Sequence, residues 1–207
     1  MVGSMNMEVW LVRHGETEFT AAQRFCGWGD PPLTRTGRAQ ARALRPLIGS
    51  QPFDRFVSSP SLRARETAQL CYGVPELDER LRELDFGKLE GCAREDCSQQ
   101  VREALLDFDS FEAPGGESVA QLGERVITAL QDLGPGRHLV VTHGGVIRFL
   151  VGRASVTDYP RLATLTQIRV DFDGTDSSRV EIVSTAPSED NVHIIKQSGT
   201  PQFPTQL

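Results

Sequence analysis

The 207-residue chain has 39% apolar residues, 24% charged residues and a net charge of −6, the proportions of an ordinary globular protein long enough to bury a core. The negative balance excludes a broad polyanion-binding surface, though it leaves room for a local cationic pocket. No run approaches the ~18 apolar residues of a membrane span. Met1 to Glu8 has neither a basic n-region nor a long apolar stretch, so the expectation is a cytoplasmic protein with no nucleic-acid or membrane partner.

Strand and helix signals alternate along the chain. Glu8 to Val12 reads as a strand, and Thr34 and Thr36 offer N-cap hydroxyls to a helix running to about Ile48. Phe53 to Ser58 is a second strand, followed by a helix from Ser61 to about Cys71 with Leu62, Ala64, Ala68 and Cys71 as its apolar residues. Glu95 to Phe108 predicts a charged amphipathic helix. Glu117 to Leu133 is clearer: Val119, Leu122, Val126, Ile127, Leu130 and Leu133 recur at helical spacing. Leu139 to Thr142 reads as a buried strand and Gly145 to about Gly152 as a helix. Leu165 to Asp171 and Val180 to Ser184 read as strands joined by a turn at Asp173 to Asp176. Strands separated by helices imply βαβ units, hence an α/β fold: a three-layer sandwich around a mainly parallel sheet. One domain is expected over residues 1–207, ending in a loose Ser-, Pro-, Gln- and Thr-rich tail from about residue 187.

Cys26, Cys71, Cys92 and Cys97 form no CxxC pair and have no histidine at zinc-ligand spacing, so they read as reduced thiols and no metal site is expected. Gly115-Gly-Glu-Ser118-Val-Ala lacks the final glycine of a serine-hydrolase elbow, and no GxxxxGK[ST] phosphate loop exists. Asp171 to Asp176 is a β-turn rather than a calcium loop. Trp10 and Trp28 read as packing residues, His138 and His193 as solvated, and Arg65 as a helix-surface residue.

Four segments carry chemistry. Arg13-His14-Gly15 ends the first strand, where side chains of an open α/β sheet face the usual ligand crevice; it reads as an anion clamp beside a nucleophile. Ser58 to Ala68, containing Arg63, opens a second strand-to-helix junction. Thr142-His143-Gly144-Gly145 ends a third strand. Leu81 to Gly91 places Glu83 in a glycine-punctuated loop.

Together these segments resemble the histidine phosphatase superfamily, the phosphoglycerate-mutase-like family, from roughly Val9 through Leu150. Arg13 to Thr17 matches its opening motif, and Gly27-Trp-Gly-Asp30 through Gln40 its next block. Arg63 falls on the family's second active-site arginine, Glu83 on its usual proton donor, His143 on its second histidine, and Pro114-Gly-Gly-Glu-Ser118 matches as well. The resemblance implies that His14 attacks phosphorus to give a phosphohistidine. Arg13, Arg63 and His143 would bind the phosphoryl oxygens, the arginines as rigid forks. Glu83 would protonate the leaving alkoxide and then deprotonate water. No metal and no cofactor would be required, and the partner would be a small phosphate ester.

Thr20 stands where members often have asparagine and Cys26 where several have glutamine. Thr20, Cys26, Gly27 and Gly144 are the expected rim of the substrate site. Glu83 and His143 lie sixty positions apart, too few for the long insertion with which the similar mutases shield their phosphohistidine. The resemblance therefore favours the phosphatase branch, which includes α-ribazole phosphatases and broad-specificity phosphatases. A cofactor-dependent mutase, a sugar bisphosphatase and a silent phospho-ligand-binding protein are the alternatives. The segment from Gly91 to Gly116 is the expected cap. Its charged residues sum to a negative set, which predicts a preference for monophosphates unless Arg24 or Arg94 turns inward.

Overall fold

The computed structural model describes residues 5–152, 165–172 and 178–186. Its strands are β1 (Met5–Arg13), β2 (Arg55–Ser58), β3 (Glu76–Leu77), β4 (Gly136–Thr142), β5 (Leu165–Phe172) and β6 (Ser178–Ala186). They form one sheet in the order β3-β2-β4-β1-β5-β6. The first four in that order run parallel, and β5 and β6 add antiparallel at one edge.

Alternation along the strands divides the interior in two, because successive side chains point to opposite faces. Met7, Val9 and Leu11 of β1 and Val140 of β4 pack with α6 (Val119–Gln131) and α7 (Gly144–Gly152). Trp10, Val12, Leu139 and Val141 face the other side, toward α3 (Arg45–Ile48) and α4 (Leu62–Cys71). Helices thus cover both faces of the sheet. The helix α6 begins at Ser118, whose hydroxyl accepts the Gln121 N–H while the Gln121 side chain accepts the Ser118 N–H. This reciprocal cap satisfies two otherwise orphaned donors. Its Leu122, Val126 and Leu130 are fully buried, each contributing about 1.5–3 kcal/mol by removal from water.

Several expectations are revised. The single helix expected from Thr34 to Ile48 is two: α2 (Arg35–Ala43) and α3 meet at Leu44. Pro46 lacks an N–H and its ring crowds the carbonyl four residues back, so α2 cannot run through it. The helix expected from Glu95 to Phe108 shortens to α5 (Gln99–Leu106), capped by the Ser98 hydroxyl and flanked by 3-10 turns at Arg94–Asp96 and Phe108–Ser110. Strand β3 has no sequence signal because its two residues are both exposed. His138 is not solvated: it lies within β4, 1% exposed, with Nε2 3.0 Å from the Gly134 carbonyl oxygen. Arg65 is half-buried rather than on the surface. The turn at Asp173 to Asp176, His193 and the tail from residue 187 lie outside the described residues. Among the described residues no helix is long and apolar enough to cross a membrane.

Candidate active site

Three parallel strands end side by side. Arg13 is in register with Thr142 and Ser58 with Val141, so the residues following β1, β2 and β4 emerge along one edge. The His14 N–H donates to the Thr142 carbonyl (3.0 Å) and the Ser59 N–H to that of Val141 (2.9 Å), extending the ladder into the site. Helix α4 then carries Arg63 in its first turn, and α7 starts directly after His143. His14 is 3% exposed, and Arg63 and His143 are fully buried.

The state of His14 follows from its neighbour. Its Nδ1 lies 2.7 Å from the Gly15 carbonyl oxygen. A carbonyl only accepts, so Nδ1 carries the proton and Nε2 the lone pair. Burial, then Arg63 and Arg13, hold the ring well below the usual histidine range, against the opposing pull of the Gly15 hydrogen bond. The imidazole is neutral at pH 7, with a nucleophilic Nε2.

Arg63 does not present the free fork expected from sequence. Its Nη1 donates to the Gly29 carbonyl (2.7 Å), and its Nη2 to the carbonyls of Gly27 (2.7 Å) and Cys26 (3.3 Å). Its Nε–H donates to His14 Nε2 (3.3 Å), so the lone pair of that nitrogen is held by the guanidinium. The loop that holds it is braced in turn, since Glu90 Oε1 accepts the N–H groups of Gly27 and Trp28, both at 2.8 Å. Thr67 ties α4 to the opening motif: its hydroxyl donates to the Arg63 carbonyl (2.7 Å) and accepts the Gly15 N–H (3.1 Å).

His143 stands edge-on to His14, with ring centroids 5.2 Å apart. Its Nε2 lies 2.7 Å from the Ser59 hydroxyl, which also neighbours the Ser61 hydroxyl at 3.2 Å. Among the described residues its buried Nδ1 has no hydrogen-bond partner. Burial, then Arg63, His14, Arg125 and Arg13, hold this ring well below the usual histidine range too.

Glu83 arrives from the loop after β3 and is 5% exposed. Its Oε2 accepts the Gly145 N–H (3.0 Å) in the first turn of α7, and its Oε1 accepts the Leu84 N–H (2.9 Å). Arg13, His14, Thr20, Cys26 and Glu83 line one cleft of ≈ 250 Å³, with Phe25 and Phe86 as an apolar wall and Gln23, Arg24 and Arg94 at its exposed mouth. Gln23 has φ = 52°, an uncommon conformation for a residue with a Cβ.

The expected rim residues divide. The Thr20 hydroxyl donates to the Thr17 carbonyl (3.0 Å) and accepts the Thr17 N–H (2.8 Å), capping α1 (Glu18–Ala21). Burial pushes the Cys26 thiol up to about 11, so it stays protonated. The Gly27 N–H is held by Glu90 and its carbonyl by Arg63. Gly144 opens α7, where a backbone N–H has no intrahelical acceptor. Sequence reasoning missed Ser59, Glu90 and Arg125. It took Trp28 for a packing residue, yet the ring is 50% exposed and its Nε1 donates to the Glu83 carbonyl (3.0 Å). Among the described residues no three His, Cys, Asp or Glu side chains group as a metal-binding set. A larger cleft of ≈ 560 Å³ at the amino ends of β1 and β4 holds Glu8, Asp54 and Arg137. Those charges engage one another, through Arg137 to Glu8 (3.3 Å) and the Arg137 N–H to Asp54 (2.8 Å).

Comparison with known proteins gives a consistent set. The sequence profile described as histidine phosphatase superfamily (branch 1) matches residues 9–184. A probable phosphoglycerate mutase GpmB of Serratia proteamaculans is 36% identical over 157 residues, 70% of this chain and 73% of the relative. Phosphoglycerate mutase-like protein 4 of Arabidopsis thaliana is 40% identical over 162 residues, 71% of this chain and 70% of the relative. Among solved structures, a phosphoglycerate mutase from Thermus thermophilus superposes with a TM-score of 0.76 at 39% identity, covering 87% of this chain and 99% of that one. A structure described as mycobacterial hydrolase 1 gives 0.72 at 25% identity, covering 86% and 97%.

Proposed function

Because the chain belongs to branch 1 of the histidine phosphatase superfamily, we propose that it is a metal-independent phosphomonoester hydrolase working through a phosphohistidine on a small phosphorylated metabolite. The observation that carries this reading is the neutral, buried His14, which lines a cleft with Glu83 and whose Nε2 accepts the Arg63 Nε–H, a donor that a phosphoryl oxygen would take over as the nitrogen attacks.

In the first step the Nε2 lone pair attacks phosphorus in line with the ester oxygen. The P–N bond forms, the P–O bond breaks, and the leaving oxygen takes the proton of the Glu83 carboxylic acid. Positive charge developing on the imidazole is relieved by the Nδ1–H bond to Gly15. In the second step the Glu83 carboxylate removes a proton from water and the hydroxide attacks phosphorus. The P–N bond breaks, inorganic phosphate leaves, and His14 and the acid form of Glu83 are restored. Arg13, Arg63 and His143 stabilise the equatorial oxygens, a task of positioning and charge rather than covalent chemistry. For His143 to donate, its proton must sit on Nδ1, and Nε2 must then accept the Ser59 hydroxyl proton, which otherwise points to the Ser61 oxygen.

Hydrolysis rather than mutase chemistry is favoured by the short span between Glu83 and His143, sixty positions, which leaves little chain to shield the phosphohistidine. A second reading rests on Arg24 and Arg94, both at the mouth, where they suit a substrate with a distal carboxylate or phosphate; relatives named as mutases fit it. Four free cysteines support a reducing, cytoplasmic setting.

The test is p-nitrophenyl phosphate hydrolysis with EDTA present, with acid-labile phosphoenzyme trapped in the wild type and absent in His14→Ala. Tight ester binding without turnover would instead identify a silent binding protein. A matched mono- and bisphosphate pair at fixed ionic strength then separates the two substrate readings. A bisphosphate preference above about tenfold, or ~1.4 kcal/mol of transition-state binding, would overturn the monoester assignment.

A further inference from the structure

Glu83 lies in no regular element, yet its loop is held at every carbonyl from residue 80 to 83. Arg125, on α6, donates from Nη1 to the carbonyls of Arg80 and Arg82, both at 2.7 Å, and from Nη2 to that of Glu83 at 2.9 Å. The Leu81 carbonyl between them accepts the Thr142 hydroxyl (2.8 Å), and Trp28 shares the Glu83 carbonyl. Buried backbone oxygens need partners, and here side chains supply them where a helix or ladder would normally do so.

Arg125 is itself fixed. Glu117 receives its Nε at 2.7 Å and its Nη2 at 2.8 Å, a two-pronged pair in which the side chains are only 17% and 13% exposed. Every nitrogen of the guanidinium is therefore engaged, and the planar fork leaves one orientation available. Glu117 also holds the far side of the loop: its N–H donates to the Asp85 carbonyl (2.9 Å), and its Oε2 accepts the Asp85 N–H (3.3 Å). Pro114-Gly-Gly-Glu-Ser118, a motif without a chemical role above, thus delivers Glu117 to this clamp. A Cβ on Gly116 would lie 2.2 Å from the Asp85 oxygen, so the motif's glycine lets the two backbones meet.

We propose that Arg125, oriented by Glu117, is a positioning residue that sets the reach of the Glu83 carboxyl toward the leaving oxygen. The inference rests on the role given to Glu83 under the proposed function. Arg125 touches neither substrate nor the reacting atoms.

The experiment compares wild type, Glu83→Gln, Arg125→Lys, Arg125→Met and Glu117→Gln over phosphate esters of graded leaving-group basicity. A misplaced acid slows esters with poor leaving groups selectively, whereas a general loss of structure slows all equally. The Arg125 variants should lose at least about tenfold more kcat/KM on an alkyl phosphate than on p-nitrophenyl phosphate, steepening the leaving-group dependence toward that of Glu83→Gln. Glu117→Gln should shift it in the same direction by less. If Arg125→Met does not fold, Arg125→Lys, which keeps the cation but loses the fork, carries the test. Hydrogen exchange at the Leu84 and Gly145 amides, both bonded to the Glu83 carboxyl, is a readout independent of turnover and should accelerate in Arg125→Lys. Equal losses on all esters, or unchanged protection of those two amides, would overturn the proposal. If Glu83→Gln leaves the leaving-group dependence unchanged, the acid assignment fails instead, and the two amides alone decide whether Arg125 places the carboxyl.

Discussion

Gly145→Ala tests the geometry of the acid without touching a charged group. A Cβ built at Gly145 falls 2.2 Å from Glu83 Oε1 and 3.1 Å from its Cδ, whereas ordinary contact begins at 3.4 Å; the oxygen must retreat by about 1.2 Å, from 3.4 less 2.2. The obstacle is the end of a side chain rather than backbone, so the carboxyl moves and the fold stands. Alanine in the first turn of α7 gains up to about 1 kcal/mol over glycine in helix propensity, offsetting part of the local strain. Misplacement of a catalytic group by about 1 Å can cost ~100-fold in rate, or ~2.7 kcal/mol of barrier. The expected outcome is near-native thermal stability with kcat/KM for an alkyl phosphate reduced roughly 100-fold. The loss on p-nitrophenyl phosphate should be much smaller, because a good leaving group needs little protonation. Steady-state kinetics on the two esters, with a melting curve as control, decides it. Alkyl phosphate activity within about threefold of wild type would refute both the placement of Glu83 and its role.

Other perturbations probe the rest of the site. Ser59→Ala leaves the buried Nε2 of His143 without its partner at 2.7 Å, a loss of about 1–3 kcal/mol; chemical denaturation should register it, and kcat should fall more than KM rises. Gly37→Ala should lower the melting temperature sharply. Its Cβ would lie 2.1 Å from the Glu16 carbonyl oxygen, a backbone atom that cannot swing aside, and a Cβ on Gly15 would in turn lie 2.4 Å from the Gly37 carbonyl oxygen. For pH dependence, His14 and His143 both titrate well below the usual range when folded, so between folded and unfolded values the unfolded chain binds more protons. Their stabilising contribution is complete above the unfolded value and declines as pH falls below it, by at most about 1.4 kcal/mol per pH unit for each ring. Urea midpoints measured downward from pH 6.5, compared with His14→Gln and His143→Gln, should show the wild type losing stability more steeply; parallel curves would contradict the neutral assignment.

Much of the molecule is legible in the chain itself. The continuous apolar runs of β1 and β4 and the helical spacing in α6 give the α/β layers, because a strand covered on both faces and a helix covered on one each leave a local pattern. The motifs at Arg13, His14, Arg63 and His143 mark the strand ends and helix starts where a parallel sheet gathers its ligands. Helix boundaries were less legible where Pro46 and Ser98 redirected the backbone, and β3 had no apolar alternation to read.

The tertiary structure alone decides how those side chains are used. The Nη groups of Arg63 reach three carbonyls of the loop from Cys26 to Gly29, more than thirty positions away in sequence, which turns an expected fork into a single directed Nε–H. The proton of His14 is fixed by the direction of the Gly15 carbonyl, and the carbonyls around Glu83 are closed by Arg125, forty-two positions on. Hydrogen bonds of this kind join residues distant in sequence and have no periodicity, so no pattern in the chain announces them. They exist only once the sheet and α6 have brought their ends together.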